Sequence, residues 1–331
     1  MPPPPAAPAP SGGIAARPWW PWAKRLGTLL FFGLVAWLLV RQAGTIDWNE
    51  VLQALRAMPR SVLAGAAGLA LLTYAVYSTF DLVGRYCIRH GLPVRRVVGV
   101  TLISYAFNLN LGSLVGGVAF RYRLYARLGL RPEQTTKVLA LSMLTNWIGY
   151  CLLAGIVFWT WPPALPPQWK IDSSGLRWLG GGLVAVALAY LLACVVRRGR
   201  ELVVRGRRLP LPTWPVALVQ LALGCAHWSL NAGILYVLLQ GRLDYPAVLA
   251  TLLVGAVAGV IAHVPAGLGV LETVFVALLS HQAPAGVLLA ALFGYRVVYY
   301  LVPLAVATVA YFATELRSRR RRSVAAGRPP R

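Results

Sequence analysis

The stretch "SYAFNLNLGSLVGGVAFRYRLYARLGL", Ser104–Leu130, decides the fold. Its left half is apolar enough to enter a bilayer. Its middle carries Asn108, Asn110, Gly112, Gly116 and Gly117, and its right half holds three arginines, Arg121, Arg123 and Arg127, with Arg131 just beyond it. It either crosses the membrane or turns inside it and returns to its own side. The two readings give different topologies, and the rest of the chain decides between them.

The chain has 331 residues, of which 58% are hydrophobic and 12% charged, with a mean hydropathy of +0.64. Soluble domains carry about twice that charge. Apolar runs of membrane-spanning length recur from end to end, so the sequence predicts an all-α polytopic membrane protein. The net charge of +23 does not indicate nucleic acid, because the basic residues sit in short clusters between apolar runs, as positive-inside loops do. Residues 1–18 are Pro/Ala-rich and read as a disordered tail. Residues 19–316 read as one transmembrane domain and 317–331 as a basic cytoplasmic tail able to bind anionic lipid. The short run Leu26–Val40, ~22 Å of helix, reads as an uncleaved first span. Cys87, Cys151, Cys194 and Cys225 lie far apart and show no metal or disulfide spacing.

Further full spans are expected near 62–83, 138–160, 175–196, 214–239 and 286–312, which gives about six with the first. Two apolar regions, 97–120 and 248–280, are interrupted by glycine, and the second also by Pro265. If both turn back within the membrane, 25 basic residues fall on the side of the N-terminus and six on the other. If both cross, the division is 17 against 14. The positive-inside rule favours the first arrangement. The expected fold is therefore about six transmembrane helices plus two opposed re-entrant broken hairpins, resembling an inverted repeat, with both termini cytoplasmic. Such opposed hairpins hold substrate between their tips in transporters.

The residues able to carry chemistry lie at these breaks. Asn108, Asn110 and Gly117 suit a hairpin tip that binds a polar headgroup; Gly112-x-x-x-Gly116 also suits plain helix packing. Arg121 and Arg123 suit an anionic headgroup at the cytoplasmic mouth, or positive-inside anchoring. In "IAHVPAGLGVLETVF", Pro265, Gly267 and Gly269 force a break flanked by His263 and Glu272. Arg296, inside the last span, needs a partner. Glu272 is the expected one, since Asp81 reads as lying near the cytoplasmic end of its span. Asn146, His227 and Asn231 suit interhelical hydrogen bonds or cavity lining. No ATP-binding loop or hydrolase motif is present, so no enzyme, cofactor or metal site is expected.

The motifs "YAFNLNLGSLVGGVAFRYRLYARLGL", "TNWIGY", "HVPAGLGVLETVF" and "YRVVYYLVPL", in this order, resemble the lysylphosphatidylglycerol synthase transmembrane-domain family, and within it the stand-alone inner-membrane branch. The resemblance spans about residues 20–316. It implies a flippase-like domain that moves a phospholipid or lipid-linked substrate, without the soluble transferase part of the family's larger members. By motif it places Asn108, Gly117, Arg121, His263, Pro265, Gly267, Gly269, Glu272 and Arg296 at the substrate. Membrane phospholipids are the expected partners; a homo-oligomer and a partner enzyme of lipid metabolism stay open, and a non-transporting scaffold is the alternative reading.

Overall fold

A computed structural model describes residues 49, 53, 56, 58–163, 165, 173–197, 201–204, 207–262 and 269–326. The apolar run 26–40, the N-terminal tail and the segment holding His263, Pro265 and Gly267 lie outside these residues. The described chain is helical apart from one two-stranded ribbon. Its elements are α1 (Arg60–Ile88), α2 (Val94–Gly112), a π-helical stretch (Ser113–Ala119), α3 (Phe120–Arg127), α4 (Pro132–Thr160), α5 (Ser173–Arg197), β1 (Glu201–Val204), β2 (Arg207–Pro210), α6 (Trp214–Leu238), α7 (Tyr245–Ala262), α8 (Val270–Leu279), α9 (Ala285–Tyr295), a second π-helical stretch (Arg296–Leu301) and α10 (Val302–Ala326). The strands pair antiparallel, with Leu202 opposite Leu209 and Val203 opposite Arg208. α10 carries the helix past Arg317 into the basic tail.

Proline marks the helix starts. Pro59, Pro93 and Pro284 immediately precede α1, α2 and α9; Pro132 opens α4, and Pro215 and Pro246 stand in the first turns of α6 and α7. A helix start needs no N–H there, and the fixed φ suits it. Among the described residues, seven helical stretches are long and apolar enough to cross a membrane: 60–88, 94–127, 132–160, 173–196, 214–238, 245–262 and 285–315. Large apolar side chains face outward on them, among them Leu71 (74% exposed), Leu114 (78%) and Val309 (70%). In water such a surface would be an aggregation liability; in lipid it is the solvent-facing side.

The stretch 94–127 is not straight. Phe107 and Phe120 would lie ~20 Å apart along one helix, yet their rings stack at a centroid distance of 4.0 Å. The chain reverses at Gly112, whose φ of +81° suits a residue without a side chain. Gly116 then packs so closely that a Cβ there would overlap the Phe107 carbonyl group and the Asn108 nitrogen. The second broken region also folds back. Gly255 on α7 and Leu271 on α8 would stand ~24 Å apart along one helix, yet a Cβ on Gly255 would press on the Leu271 side chain. Gly269, just before α8, has φ +77°.

The two hairpins open toward opposite ends of the bundle. At one end, the corner between α1 and α2 meets the start of α6, and His90 stands beside Tyr125 of α3 (ring centroids 6.5 Å). At the other end, Trp161–Pro163 after α4 meet Asp244 and Tyr245 at the start of α7 and Leu278, Leu279, His281 and Gln282 at the end of α8. α4 and α6, of 29 and 25 residues, connect the two ends. Each hairpin thus returns to the end it left.

α1, α4 and α6 form the centre, with α5 laid against α4. Small residues set the spacing. At the α4–α6 crossing Gly149 faces Gly224, and a Cβ on Gly149 would run into the Gly224 Cα and carbonyl carbon. Gln220 of α6 adds a polar tie: its Nε2 donates to Thr145 Oγ1 of α4 (2.7 Å), and its Oε1 accepts from Tyr190 of α5 (2.5 Å). Gly149→Ala should lower stability in detergent by about 3 kcal/mol, the upper range for overpacking a tight core. Gly182→Ala, where a Cβ meets nothing within 4 Å, should leave the melting temperature unchanged or raised. Equal melting temperatures for the two variants would contradict this packing.

Candidate functional site: two buried ion pairs joined by a tyrosine file

On α1, Tyr74, Tyr77 and Asp81 recur at spacings of three and four, so they share one helical face. That face turns inward. Asp81 is fully buried, and Arg121, the second residue of α3, is 2% exposed. Arg121 Nε donates to Asp81 Oδ2 (3.1 Å), its NH2 reaches the Tyr77 hydroxyl (3.4 Å), and its NH1 reaches the Gly117 carbonyl (3.4 Å). Tyr125 donates its hydroxyl to the same Asp81 Oδ2 (2.8 Å). The fold-back at Gly112 makes this pair, because it sets the α3 leg of the hairpin against α1. Asp81, expected near the end of its span, is the buried counter-ion of Arg121, a pairing that the sequence reading did not name.

The second pair is the expected one. Glu272, in the first turn of α8, accepts from Arg296 at two points, Oε1 from Nε (2.6 Å) and Oε2 from NH2 (2.9 Å). This forked geometry is the strong form of a carboxylate–guanidinium contact. Arg296 also lies over the Tyr300 ring at 5.8 Å. Arg296 opens a π-helical stretch whose carbonyls take additional partners. Side chains of other elements use them: Tyr74 of α1 donates to the Tyr299 carbonyl (3.3 Å), and Asn110 of α2 donates to the Tyr300 carbonyl (3.2 Å). One six-residue segment is therefore gripped by α1, by the tip of the first hairpin and, through Glu272, by the second hairpin.

Between the pairs runs a file of aromatic and polar side chains. Tyr77 stacks on Tyr105 at 3.5 Å. The Tyr105 hydroxyl meets the Tyr299 hydroxyl at 2.6 Å and His227 Nε2 at 3.1 Å. Asn231 bonds the His227 ring and carbonyl, and its Oδ1 accepts from the Tyr295 hydroxyl (3.3 Å). Tyr295 stacks on Tyr299 at 5.2 Å. Tyr105, His227, Asn231, Tyr295 and Tyr299 are all buried.

Of the residues expected at the substrate, Asn110, Gly117, Arg121, Glu272 and Arg296 take part in these contacts, and Gly269 leads into α8 directly before Glu272. Asn108 stands against Gly117, where a Cβ would crowd its Oδ1. Arg123 is half-buried on the outer side of α3, near Tyr311 of α10. Arg127, on the same face of α3, pairs with Glu315 of α10 and lies over Tyr311. His263, Pro265 and Gly267 are outside the described residues. Sequence reasoning missed the tyrosines. The available signal was their spacing, three and four apart on α1 and four apart for Tyr295 and Tyr299, always facing Asp81 or Arg296.

Comparison with known proteins agrees with this architecture. Residues 26–307 match the family described as the lysylphosphatidylglycerol synthase TM region. The chain belongs to that family. It is 42% identical over 309 residues to the inner membrane protein YbhN of Escherichia coli, covering 93% of this chain and 97% of that one. It is 32% identical over 277 residues to an uncharacterised protein of Synechocystis, covering 83% and 86%. A phosphatidylglycerol lysyltransferase of Staphylococcus haemolyticus is 23% identical over 296 residues, covering 85% of this chain and 32% of the enzyme. The chain is thus a family membrane domain and a multi-pass protein of the bacterial inner membrane, as its helices and the YbhN match show.

A buried pair that loses one partner strands a charge, at a cost of about 3–5 kcal/mol. Asp81→Asn and Arg121→Gln should each destabilise the protein by that order, and the double variant should recover most of the loss. Thermal unfolding in detergent measures this; additive losses in the double variant would show that the two side chains are not coupled.

Proposed function

We propose that the protein moves a phospholipid or lipid-linked substrate across the inner membrane, with the headgroup passing between the two hairpins and the acyl chains remaining in the bilayer. The observation that carries this reading is the opposed fold-back of two broken helices, each bringing one member of an ion pair into the bundle. Family membership supports it. Non-helical backbone at membrane depth is tolerated where it is enclosed by protein or lines a polar path. In the membrane the hairpins are re-entrant, the first from the cytoplasmic face, where the basic loops gather, and the second from the opposite face.

The pairing of Arg121 and Arg296 with carboxylates shapes the headgroup chemistry. A phosphate that takes an arginine from Asp81 or Glu272 leaves a carboxylate uncompensated in a low-dielectric site. A headgroup carrying both a phosphate and an ammonium replaces both halves at once: the arginine fork takes the phosphate oxygens, and the carboxylate takes the ammonium. The site therefore suits a zwitterionic or amino-bearing headgroup. In this reading Asn108, Asn110 and Gly117 line the first tip, Arg123 faces the cytoplasmic mouth, and His263, Pro265, Gly267 and Gly269 shape the second. Among the described residues no group of three or more His, Cys, Asp or Glu side chains could hold a metal ion, and the reading uses no metal. Movement follows the lipid gradient or a proton gradient acting at Glu272 and His263.

Reconstitution into liposomes with headgroup- and chain-labelled lipids tests the proposal. The double variants Asp81→Asn/Arg121→Gln and Glu272→Gln/Arg296→Gln keep the charge balance and the fold. Each should lower translocation at least tenfold relative to the unaltered protein. Wild-type rates in both would reject the assignment, and no movement of any lipid by the unaltered protein would favour a non-transporting scaffold.

A further inference from the structure

We infer that the corner between α1 and α2, closed by the first turn of α6, is a binding site for a phosphate group, separate from the hairpins and independent of the transport reading. The corner encloses a cavity lined by Arg85, Arg89, His90, Thr213 and Val216, with Tyr86 at its rim. Among the described residues no carboxylate lines it.

His90 is the central observation. Its side chain is buried, at 5% exposure, although it sits in a turn at the end of the bundle. Its Nδ1 accepts the Leu92 backbone N–H (3.4 Å). Burial first, and Arg85 second, hold its imidazole below the usual range, against a smaller upward pull from Asp81. The ring is therefore neutral near pH 7. With Nδ1 accepting, its one proton is on Nε2, at the far edge of the ring. That Nε2 is buried and has no protein partner. An unused buried donor is destabilising, and an acceptor reaching it would remove that cost.

The remaining donors are of the type an oxyanion needs. Arg85 Nε is fixed on the Leu92 carbonyl (2.7 Å), which holds the guanidinium at the cavity wall with its terminal N–H groups left for another acceptor. Arg89 adds a second guanidinium from the left-handed position that ends α1 (φ 55°). α6 contributes its N-terminus. Thr213 makes no side-chain capping bond, Pro215 has no N–H, and the first intrahelical bond runs from Ala217 to the Thr213 carbonyl (3.0 Å). The Val216 N–H therefore stays unused at the positive end of a 25-residue helix. Two arginine forks, an imidazole and a helix N-terminus line one cavity with no carboxylate among the described residues, a donor set that suits a tetrahedral phosphate.

The group can belong to an anionic lipid or to a soluble phosphate. Tyr86, 69% exposed, lines the cavity, and such an aromatic side chain sits at the headgroup level of a bilayer. The basic loops gather at this end, so the face is the one that meets anionic lipid.

The four histidines of the chain make the test direct. The full-length protein is labelled with nitrogen-15 histidine and placed in phosphatidylcholine nanodiscs, and the Nε2 resonance of His90 is assigned by its loss in His90→Gln. The probes are inorganic phosphate in solution and phosphatidylglycerol added to the nanodiscs. A saturable shift of the His90 signal with either probe supports the site. Response to phosphatidylglycerol alone identifies a lipid headgroup, and response to inorganic phosphate alone a soluble ligand. Half-saturation should rise at least tenfold in Arg85→Gln. The exposed Arg89→Gln gives the same comparison without disturbing the bond from Arg85 to the Leu92 carbonyl. A His90 signal that moves with neither probe, or that keeps the half-saturation of the unaltered protein in both arginine variants, overturns the inference.

Discussion

A backbone that breaks its helix inside an apolar bundle must find partners for the groups the helix no longer serves, and this constraint governs the structure. Water is not there to help, and each unsatisfied group costs several kcal/mol. The first hairpin answers by contact. Gly112 takes the positive φ, Gly116 allows backbone to lie on backbone, and the Asn110 amide bonds the Ala106 and Tyr300 carbonyls. The charge that the hairpin carries inward, Arg121, is matched by Asp81 on the neighbouring helix.

The π-helical stretch Arg296–Leu301 is the counterpart of that turn. Its widened helix offers carbonyls to Tyr74 and Asn110, and its first side chain reaches Glu272 on the second hairpin. Two hairpins that open at opposite ends thus meet one short segment of the last apolar helix. A shift of that segment changes contacts at both. The tyrosine file through Tyr105 and His227 ties it further to α1 and α6. Both charges of each pair are internal, so the resting protein holds a balanced polar core inside an apolar shell.

The fold was legible in the sequence because its two determinants are one-dimensional. Glycine and proline interrupt apolar runs, and arginine counts distinguish the loops. These placed the breaks at 97–120 and 248–280, where the chain does fold back. The Glu272–Arg296 pair was legible by elimination, since few carboxylates lie within apolar segments. Asp81–Arg121 was not, because partners 40 residues apart meet only after the hairpin has stacked on α1. The tyrosine file was hidden for another reason. Hydropathy treats tyrosine as nearly apolar, and only its spacing relative to Asp81 and Arg296 reveals a hydroxyl that needs a partner. The ribbon at 201–210 was read simply as a basic loop, as its six arginines between 197 and 208 outweigh four strand residues on either side.

The central claim is that each hairpin begins and ends on one face of the membrane, the two on opposite faces. Labelling of single cysteines by a membrane-impermeant maleimide tests it most directly, in a background with the four native cysteines replaced. Arg95 and Arg131 flank the first hairpin, Asp244 and Gln282 flank the second, and all four are exposed. Cysteines at 95 and 131 should react from the cytoplasmic face alone, and those at 244 and 282 from the opposite face alone. Reaction of 95 and 131 from different faces, or of 244 and 282 from different faces, would contradict the account.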